Sequence, residues 1–101
     1  MGKYLVRVFP HVNSQLVRHA SFLANVSKPA ALRFRNEFEK TLSELKDNPY
    51  QFPFYDDPNL PPEVYRKALF AKWYKFVFYI EKDCVYVDAV VDGRSDWNRN
   101  D

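Results

Sequence analysis

The chain contains only two glycines and one cysteine in 101 residues. This scarcity excludes a glycine-rich phosphate-binding loop, a disulfide scaffold and a zinc site built from cysteines. The single cysteine, Cys84, lies in an apolar run, which favours a buried structural thiol and a reducing, cytoplasmic setting. No apolar run approaches the roughly 20 residues that a membrane-spanning helix needs, and the polar start does not resemble a signal peptide.

What the chain does contain is enough apolar and aromatic material for a core. It is 47% hydrophobic and 18% aromatic, so we expect residues 1–101 to form a single folded domain. The net charge of +2 is unevenly distributed, because residues 1–46 hold eight Lys/Arg against three Glu. Residues 47–63 contain acidic but no basic side chains. This asymmetry permits an anionic partner without requiring one.

The first half of the chain changes from a strand pattern to a helical one. A β-rich run at 4–9 is broken by Pro10, and apolar residues then recur every three to four positions from Val12 onward. Ser27 is the expected N-cap of a second helix, which Asn48-Pro49 ends. The apolar stripe of this second helix comprises Ala31, Phe34, Phe38, Leu42 and Leu45. The sequence therefore predicts an antiparallel helical hairpin.

The second half predicts a loop followed by three strands. Residues 49–63 hold five of the seven prolines, which predicts an irregular loop anchored on the core by aromatic residues. The β-rich runs 64–70, 73–81 and 84–91 follow, with expected two-residue turns at Ala71-Lys72 and Lys82-Asp83. The order is β-αα-βββ, which predicts an α+β domain. We expect its antiparallel β-sheet to carry the N-terminal helical hairpin on one face.

The two turns also predict which side chains share a face of the sheet. The turn at Lys82-Asp83 pairs Tyr79 with Tyr86, Val77 with Asp88 and Lys75 with Val90. The turn at Ala71-Lys72 pairs Arg66 with Val77. The core face would then contain Tyr65, Leu69, Phe76, Phe78, Ile80, Val85, Val87 and Ala89. The opposite face would contain Arg66, Lys75, Tyr79, Tyr86 and Asp88, with Trp73 at its rim. Such a face is either an ordinary solvated surface or an anion-binding surface where cations meet phosphates and rings stack on bases.

These segments resemble a known family in their order and content. The helix "PAALRFRNEFEKTLSELKDNP" and the strands "VYRKALFAKWYKFVFYIEKDCVYVDAVVDGRSDW" look like those of the RelE/ParE superfamily of bacterial type II toxin–antitoxin toxins. The resemblance implies a cytoplasmic, growth-inhibiting toxin without a cofactor, which a cognate antitoxin protein neutralises. RelE-like members cleave messenger RNA on the ribosome without a metal ion, whereas ParE-like members poison DNA gyrase. A protein-binding or plasmid-stabilisation module without toxicity is the third alternative.

The resemblance also implies roles for individual residues. Three basic positions of the RelE-like pattern fall on Arg66, Lys75 and Arg94, which are therefore the predicted catalytic residues. A further basic position of the pattern is occupied by Ala68, which departs from it. The late aromatic residue that stacks on the substrate base would have to be Trp97, which comes earlier than in the family and is not a tyrosine.

The chemistry of RNA cleavage through a 2′-hydroxyl defines what these residues would do. It needs a base for that hydroxyl, stabilisation of the phosphorane charge and an acid for the leaving oxygen. Arg66 and Arg94 are suited to stabilising charge, while Lys75 or Tyr79 would need a strongly lowered pKa to act as the base. Tyr79 and Tyr86, like Trp97, are the predicted substrate-binding rings.

Other ionisable residues have ordinary structural interpretations. His11 is expected in a loop, and His19 on or beside the apolar stripe of the first helix. Asp56-Asp57 lie in the proline-rich loop without a histidine beside them, which favours solvated or capping carboxylates over a metal site. Basic residues of the second helix form a solvated face or, in a gyrase-directed toxin, a contact surface; they are Arg33, Arg35 and Lys40.

Overall fold

The computed structural model describes residues 3–92, so the predicted site residues Arg94 and Trp97 lie outside the described residues. Its elements are β1 (Leu5–Val8), α1 (Pro10–Val26), α2 (Lys28–Asp47), a 3₁₀ helix (Pro49–Gln51), β2 (Tyr65–Phe70), β3 (Tyr74–Glu81) and β4 (Cys84–Asp92). This order confirms the predicted α+β class. The loop expected to be wholly irregular instead begins with the 3₁₀ turn, which the Asn48 side chain caps by accepting from the Tyr50 amide at 3.2 Å.

Ser27 alone separates the two helices. Its backbone N–H donates to the Leu23 carbonyl at 2.7 Å and so closes α1, while its Oγ accepts from the Ala30 N–H at 3.3 Å and so opens α2. The predicted N-cap is therefore confirmed. His19 and Phe34, about equally far from Ser27 along the chain, face each other with ring centres 6.4 Å apart. This contact is the one expected of a helical hairpin.

The sheet has the order β1-β4-β3-β2, and the helices pack on one side of it. β2, β3 and β4 are antiparallel neighbours, but β1 runs parallel to β4. The prediction of a wholly antiparallel sheet is therefore wrong for β1. Parallel neighbours need a long connection, and here the chain between β1 and β4 includes both helices and two strands. Val6 and Val8 thereby lie beside Val85 and Val87 on the helix side of the sheet.

The second β-hairpin follows the prediction at its turn and departs from it further along. Glu81 pairs with Cys84 across a two-residue turn, and Tyr79 pairs with Tyr86 as expected. The register then shifts between Val77 and Phe78, so that Val77 pairs with Ala89.

This shift is a β-bulge, and Asp88 is its extra residue. The predicted pairing of Val77 with Asp88 is therefore wrong, as is that of Lys75 with Val90, since Lys75 pairs with Val91. Beyond the bulge Val90, at 2% exposure, faces the helices in place of Ala89.

The first β-hairpin has a longer loop than predicted. Phe70 pairs with Tyr74, so three residues form the loop and Arg66 pairs with Phe78 instead of Val77. Within the loop, the Trp73 N–H donates to the Ala71 carbonyl at 2.8 Å. The backbones of Ala71 and Lys72 both take positive φ angles, 49° and 76°.

The observed pairing differs by one residue from the predicted one, and this difference exchanges the two faces of β2. Arg66 and Ala68 lie on the helix side, whereas Tyr65, Lys67 and Leu69 lie on the other. The predictions that Tyr65 and Leu69 face the core are wrong, and Leu69 is 67% exposed.

The core lies between the helices and this side of the sheet. Its buried side chains are Val12, Phe34, Leu45, Ala68, Phe70, Tyr74, Phe76, Phe78, Val85, Val87 and Val90. The predicted helical stripe is confirmed for Phe34 and Leu45, which belong to this cluster, and for Phe38 and Leu42, which pack against it. Within residues 3–92, neither helix has the length and apolar content to cross a membrane.

Candidate nucleic-acid interface

The side of the sheet turned away from the helices is called the open face. Its principal side chains are Arg7, Tyr65, Lys67, Lys75, Val77, Tyr79, Tyr86 and Asp88. Strand pairing positions them, since directly paired residues share a face and β1, β4, β3 and β2 are consecutive neighbours.

A row of three tyrosines crosses the open face. Tyr65 pairs with Tyr79, and Tyr79 with Tyr86. The ring centres of Tyr65 and Tyr79 are 5.5 Å apart in an edge-to-face arrangement. Those of Tyr79 and Tyr86 are 5.0 Å apart and nearly parallel. Arg7 pairs with Tyr86 from β1 and so adds a cation at one end of the row. The predicted grouping of Tyr79 with Tyr86 is confirmed, and Tyr65 extends it.

Two lysines flank this row around the ring of Tyr55. The Lys75 Nζ lies 4.5 Å from the centre of that ring and the Lys67 Nζ lies 5.9 Å from it. Tyr55 is held in place because its N–H donates to the Tyr65 carbonyl at 2.8 Å. The predicted place of Lys75 on the open face is confirmed. Lys67 was missed because the expected turn was one residue too short.

Arg66 lies on the other side of the sheet, so its predicted position on the open face is wrong. Its Nη1 donates to the Phe52 carbonyl at 2.6 Å. Its guanidinium carbon lies 4.1 Å from the ring centre of Phe54 and 5.2 Å from that of Tyr50. These contacts bind the proline-rich loop to β2, and a catalytic role for Arg66 stays a prediction. Ala68 stands where the RelE-like pattern has a basic residue, and its side chain is fully buried.

The bulge at Asp88 brings a carboxylate into this otherwise cationic and aromatic surface. The Tyr65 hydroxyl donates to Asp88 Oδ2 at 3.3 Å. Burial raises the pKa of Tyr65, and the negative charge of Asp88 and the hydrogen bond to it raise this pKa further. Val77, between them on the open face, is only 5% exposed. The polar pair thus lies on the same face as a nearly buried valine.

His11 joins this cluster from the start of α1. Its Nε2 is hydrogen-bonded to the backbone carbonyl of Asp88 and lies 3.6 Å from Asp88 Oδ1. The ring of Phe9 lies between two others, 5.9 Å from His11 and 6.0 Å from Tyr86. His11 was expected in a loop, but Pro10 opens α1, so His11 belongs to the first helical turn. Proline's preference for that position was the signal that would have placed it.

Tyr65 and Tyr86, at the two ends of the row, are hydroxyl donors at neutral pH rather than bases. A hydrogen bond with Cys84 is the main cause that raises the pKa of Tyr86, and the neighbouring charge of Glu81 adds to it. Arg7 acts in the opposite direction. The pKa of Tyr65 is raised as well. Cys84, predicted to be buried, is only partly so.

No potential metal cluster of three or more His, Cys, Asp or Glu residues occurs within residues 3–92. Asp57 Oδ1 accepts from the Asn59 N–H at 2.8 Å, which is the capping role expected for this loop. Comparison with models of protein families finds no match to the chain, and comparison with curated proteins finds none either.

Proposed function

We propose that the protein is the toxin of a type II toxin–antitoxin system of the RelE/ParE kind, and that it inhibits growth in the cytoplasm by cleaving messenger RNA on the ribosome. The observation that carries this proposal is the open face, with its tyrosine row bounded by cations from three strands. Flat rings offer stacking platforms to unpaired bases, and lysine and arginine neutralise the phosphates between them. The β-αα-βββ order supports the same family.

The residues of the open face divide into two roles in this proposal. Tyr79 and Tyr86 bind substrate bases, while Lys75 and Lys67 hold the backbone phosphate and stabilise charge in the transition state. Arg94 follows β4 in sequence and keeps its predicted catalytic role. Arg66 is assigned to holding the proline-rich loop, and Lys67 takes its place on the substrate side.

The partners follow from this assignment. The substrate is messenger RNA bound to the ribosome, and the proposal includes no metal ion or other cofactor. A cognate antitoxin protein neutralises the toxin, and an anionic segment that covers the open face would block Lys67 and Lys75 together.

The test maps the 5′ ends of a messenger incubated with ribosomes and the purified chain. We expect cuts in the ribosomal A site, and at least ~10² slower cutting in the Lys75→Glu variant, a magnitude typical of lost transition-state stabilisation. Lys28→Glu makes the same charge change at an exposed position at the start of α2 and should cut normally. A wild-type chain that makes no A-site cuts would contradict the proposal.

A second candidate is a ParE-like poison of DNA gyrase. The observation that favours it is the exposed basic surface of α2, where Arg33, Arg35 and Lys40 point away from the core. Only Arg35 among them forms an ion pair with a described residue, to Glu39 at 3.9 Å. This candidate predicts double-strand breaks trapped in a gyrase supercoiling assay, weakened by Arg33→Glu but not by Lys75→Glu. Normal growth on induction without antitoxin would instead indicate a non-toxic binding module.

A further inference from the structure

We propose that His11 is the general base of the open face and that Asp88 is its positioning residue. This inference rests on the proposed RNA cleavage, since it supplies the proton acceptor which that reaction needs. The structure brings the two residues together over a separation of 77 positions in the chain.

The hydrogen bond of His11 determines which of its nitrogens holds the proton. Its Nε2 is bonded to the backbone carbonyl of Asp88, and a carbonyl oxygen only accepts. Nε2 must therefore carry hydrogen, and in the neutral ring the lone pair is on Nδ1. Within residues 3–92, the ring of His11 forms no hydrogen bond or ion pair other than those to Asp88. Nδ1 is thus available to accept a proton from a substrate.

Asp88 also presents its carboxylate to the ring. Its Oδ1 lies 3.6 Å from His11 Nε2, within ion-pair distance of the imidazolium that proton transfer would produce. The Tyr65 hydroxyl holds the other oxygen, Oδ2, at 3.3 Å. The backbone carbonyl of Asp88 thus orients the ring, and its carboxylate, held by Tyr65, lies beside the same nitrogen.

The position of His11 fits a nucleotide bound on the tyrosine row. The His11 side chain is 55% exposed, so a substrate can reach it. Phe9 bridges the rings of His11 and Tyr86 with centre-to-centre distances of 5.9 and 6.0 Å. A nucleotide whose base stacks on Tyr86 would lie next to Phe9, the ring that neighbours His11.

The proposed step is a transesterification without change of oxidation state. His11 Nδ1 takes the proton of the ribose 2′-hydroxyl, and the 2′-oxygen forms a bond to the adjacent phosphorus. The bond from phosphorus to the 5′-oxygen breaks, and that oxygen takes a proton from water. The products are a 2′,3′-cyclic phosphate and a 5′-hydroxyl end, and the imidazolium returns its proton to the hydroxide.

The experiment compares His11→Ala with wild type in the ribosome cleavage assay. We expect cutting to slow by at least ~10², the lower end of the range for general-base catalysis, with binding to programmed ribosomes unchanged. Added imidazole should restore part of the rate in His11→Ala. The matched control is His19→Gln, the chain's other histidine, which lies on the helix side and should cut at the wild-type rate. Asp88→Asn, which removes the carboxylate charge but keeps the backbone carbonyl that holds the ring, should lower kcat with KM unchanged.

The outcomes separate this inference from the proposed function. Absence of cutting by the wild-type chain would overturn both. Cutting by wild type that persists in His11→Ala would overturn the assignment of His11 alone. A third outcome is a His11→Ala variant that cuts slowly without rescue by imidazole and melts at a lower temperature than wild type. That result would assign His11 a structural role and overturn its assignment as general base.

Discussion

The guanidinium of Arg66 stacks on Phe54, with its central carbon 4.1 Å from the ring centre, and is held there by a hydrogen bond to the Phe52 carbonyl. Arg66 of β2 is therefore bound to the preceding loop, on the side of the sheet opposite to the tyrosine row. It connects a segment with little regular structure to an edge strand of the sheet.

Replacing Arg66 by alanine should destabilise the fold. We expect the free energy of unfolding to fall by about 2 kcal/mol, since a charged hydrogen bond and its cation–π contact are lost together. Chemical denaturation measures this change. Lys67→Ala, one residue further on the open face, is the matched control and should cost at most about 0.5 kcal/mol. Equal losses in both variants would contradict the assignment of Arg66.

Position 72 should be more stable with glycine than with its native lysine. Its φ of 76° is in the left-handed region, where the Cβ atom of any residue other than glycine is sterically unfavourable. We expect Lys72→Gly to raise the free energy of unfolding by up to about 1 kcal/mol after the entropic cost of glycine is deducted. Glu81→Gly, at a regular strand position, should lower it instead. A destabilised Lys72→Gly variant would show that the lysine side chain itself contributes more than the strain costs.

His19 should make stability depend on pH. Burial lowers the pKa of His19 below its ordinary value of 6.5, against smaller opposing effects of the Val90 backbone and Asp92. The unfolded chain therefore takes up a proton at a higher pH than the folded chain does. The contribution of neutral His19 to the free energy of unfolding is fully present above the pKa of the unfolded state. It is lost as the pH falls from that pKa towards the lowered pKa of the folded state.

Urea denaturation at several pH values between about 7.5 and about 5 measures this effect. The curve of His19→Gln should fall less steeply with acidification than that of wild type, because the variant has no imidazole to protonate. Parallel curves for the two proteins would indicate that His19 is not responsible.

The open face should bind single-stranded RNA through both charge and stacking. Lys75→Ala should reduce the slope of log K against log salt by about 0.7, the contribution of one phosphate contact on a single strand. Tyr79→Ala should weaken binding by about 1–3 kcal/mol with little change in that slope. Fluorescence anisotropy with a labelled oligonucleotide over a salt series separates the two effects. Lys28→Ala serves as the control, and an equal loss of slope there would point to non-specific attraction.

Much of the architecture could be predicted because its signals are local. Ser27 caps a helix through an oxygen that reaches an amide three residues away, and the apolar stripe of α2 needs only helical spacing. The two-residue turn at Lys82-Asp83 likewise positions Tyr79 beside Tyr86. These features depend on neighbours in the chain and are therefore readable from the order of residues.

The composition of the candidate site was less predictable, because it depends on register. One extra residue in the loop before β3 places Lys67 instead of Arg66 on the open face. The bulge at Asp88 then turns Val90 inward. Since side chains alternate along a strand, a difference of one residue exchanges faces, while the sequence pattern of β2 allows either choice.

The sequence by itself determined the helices, the strands and the cationic, aromatic character of one face of the sheet, because short-range periodicity and capping carry that information. Only the tertiary structure decided that β1 runs parallel to β4 and that His11 meets Asp88. Both contacts join parts of the chain far apart in sequence, and they form because the helices and the sheet bury a common core. No local pattern encodes where such distant segments come together.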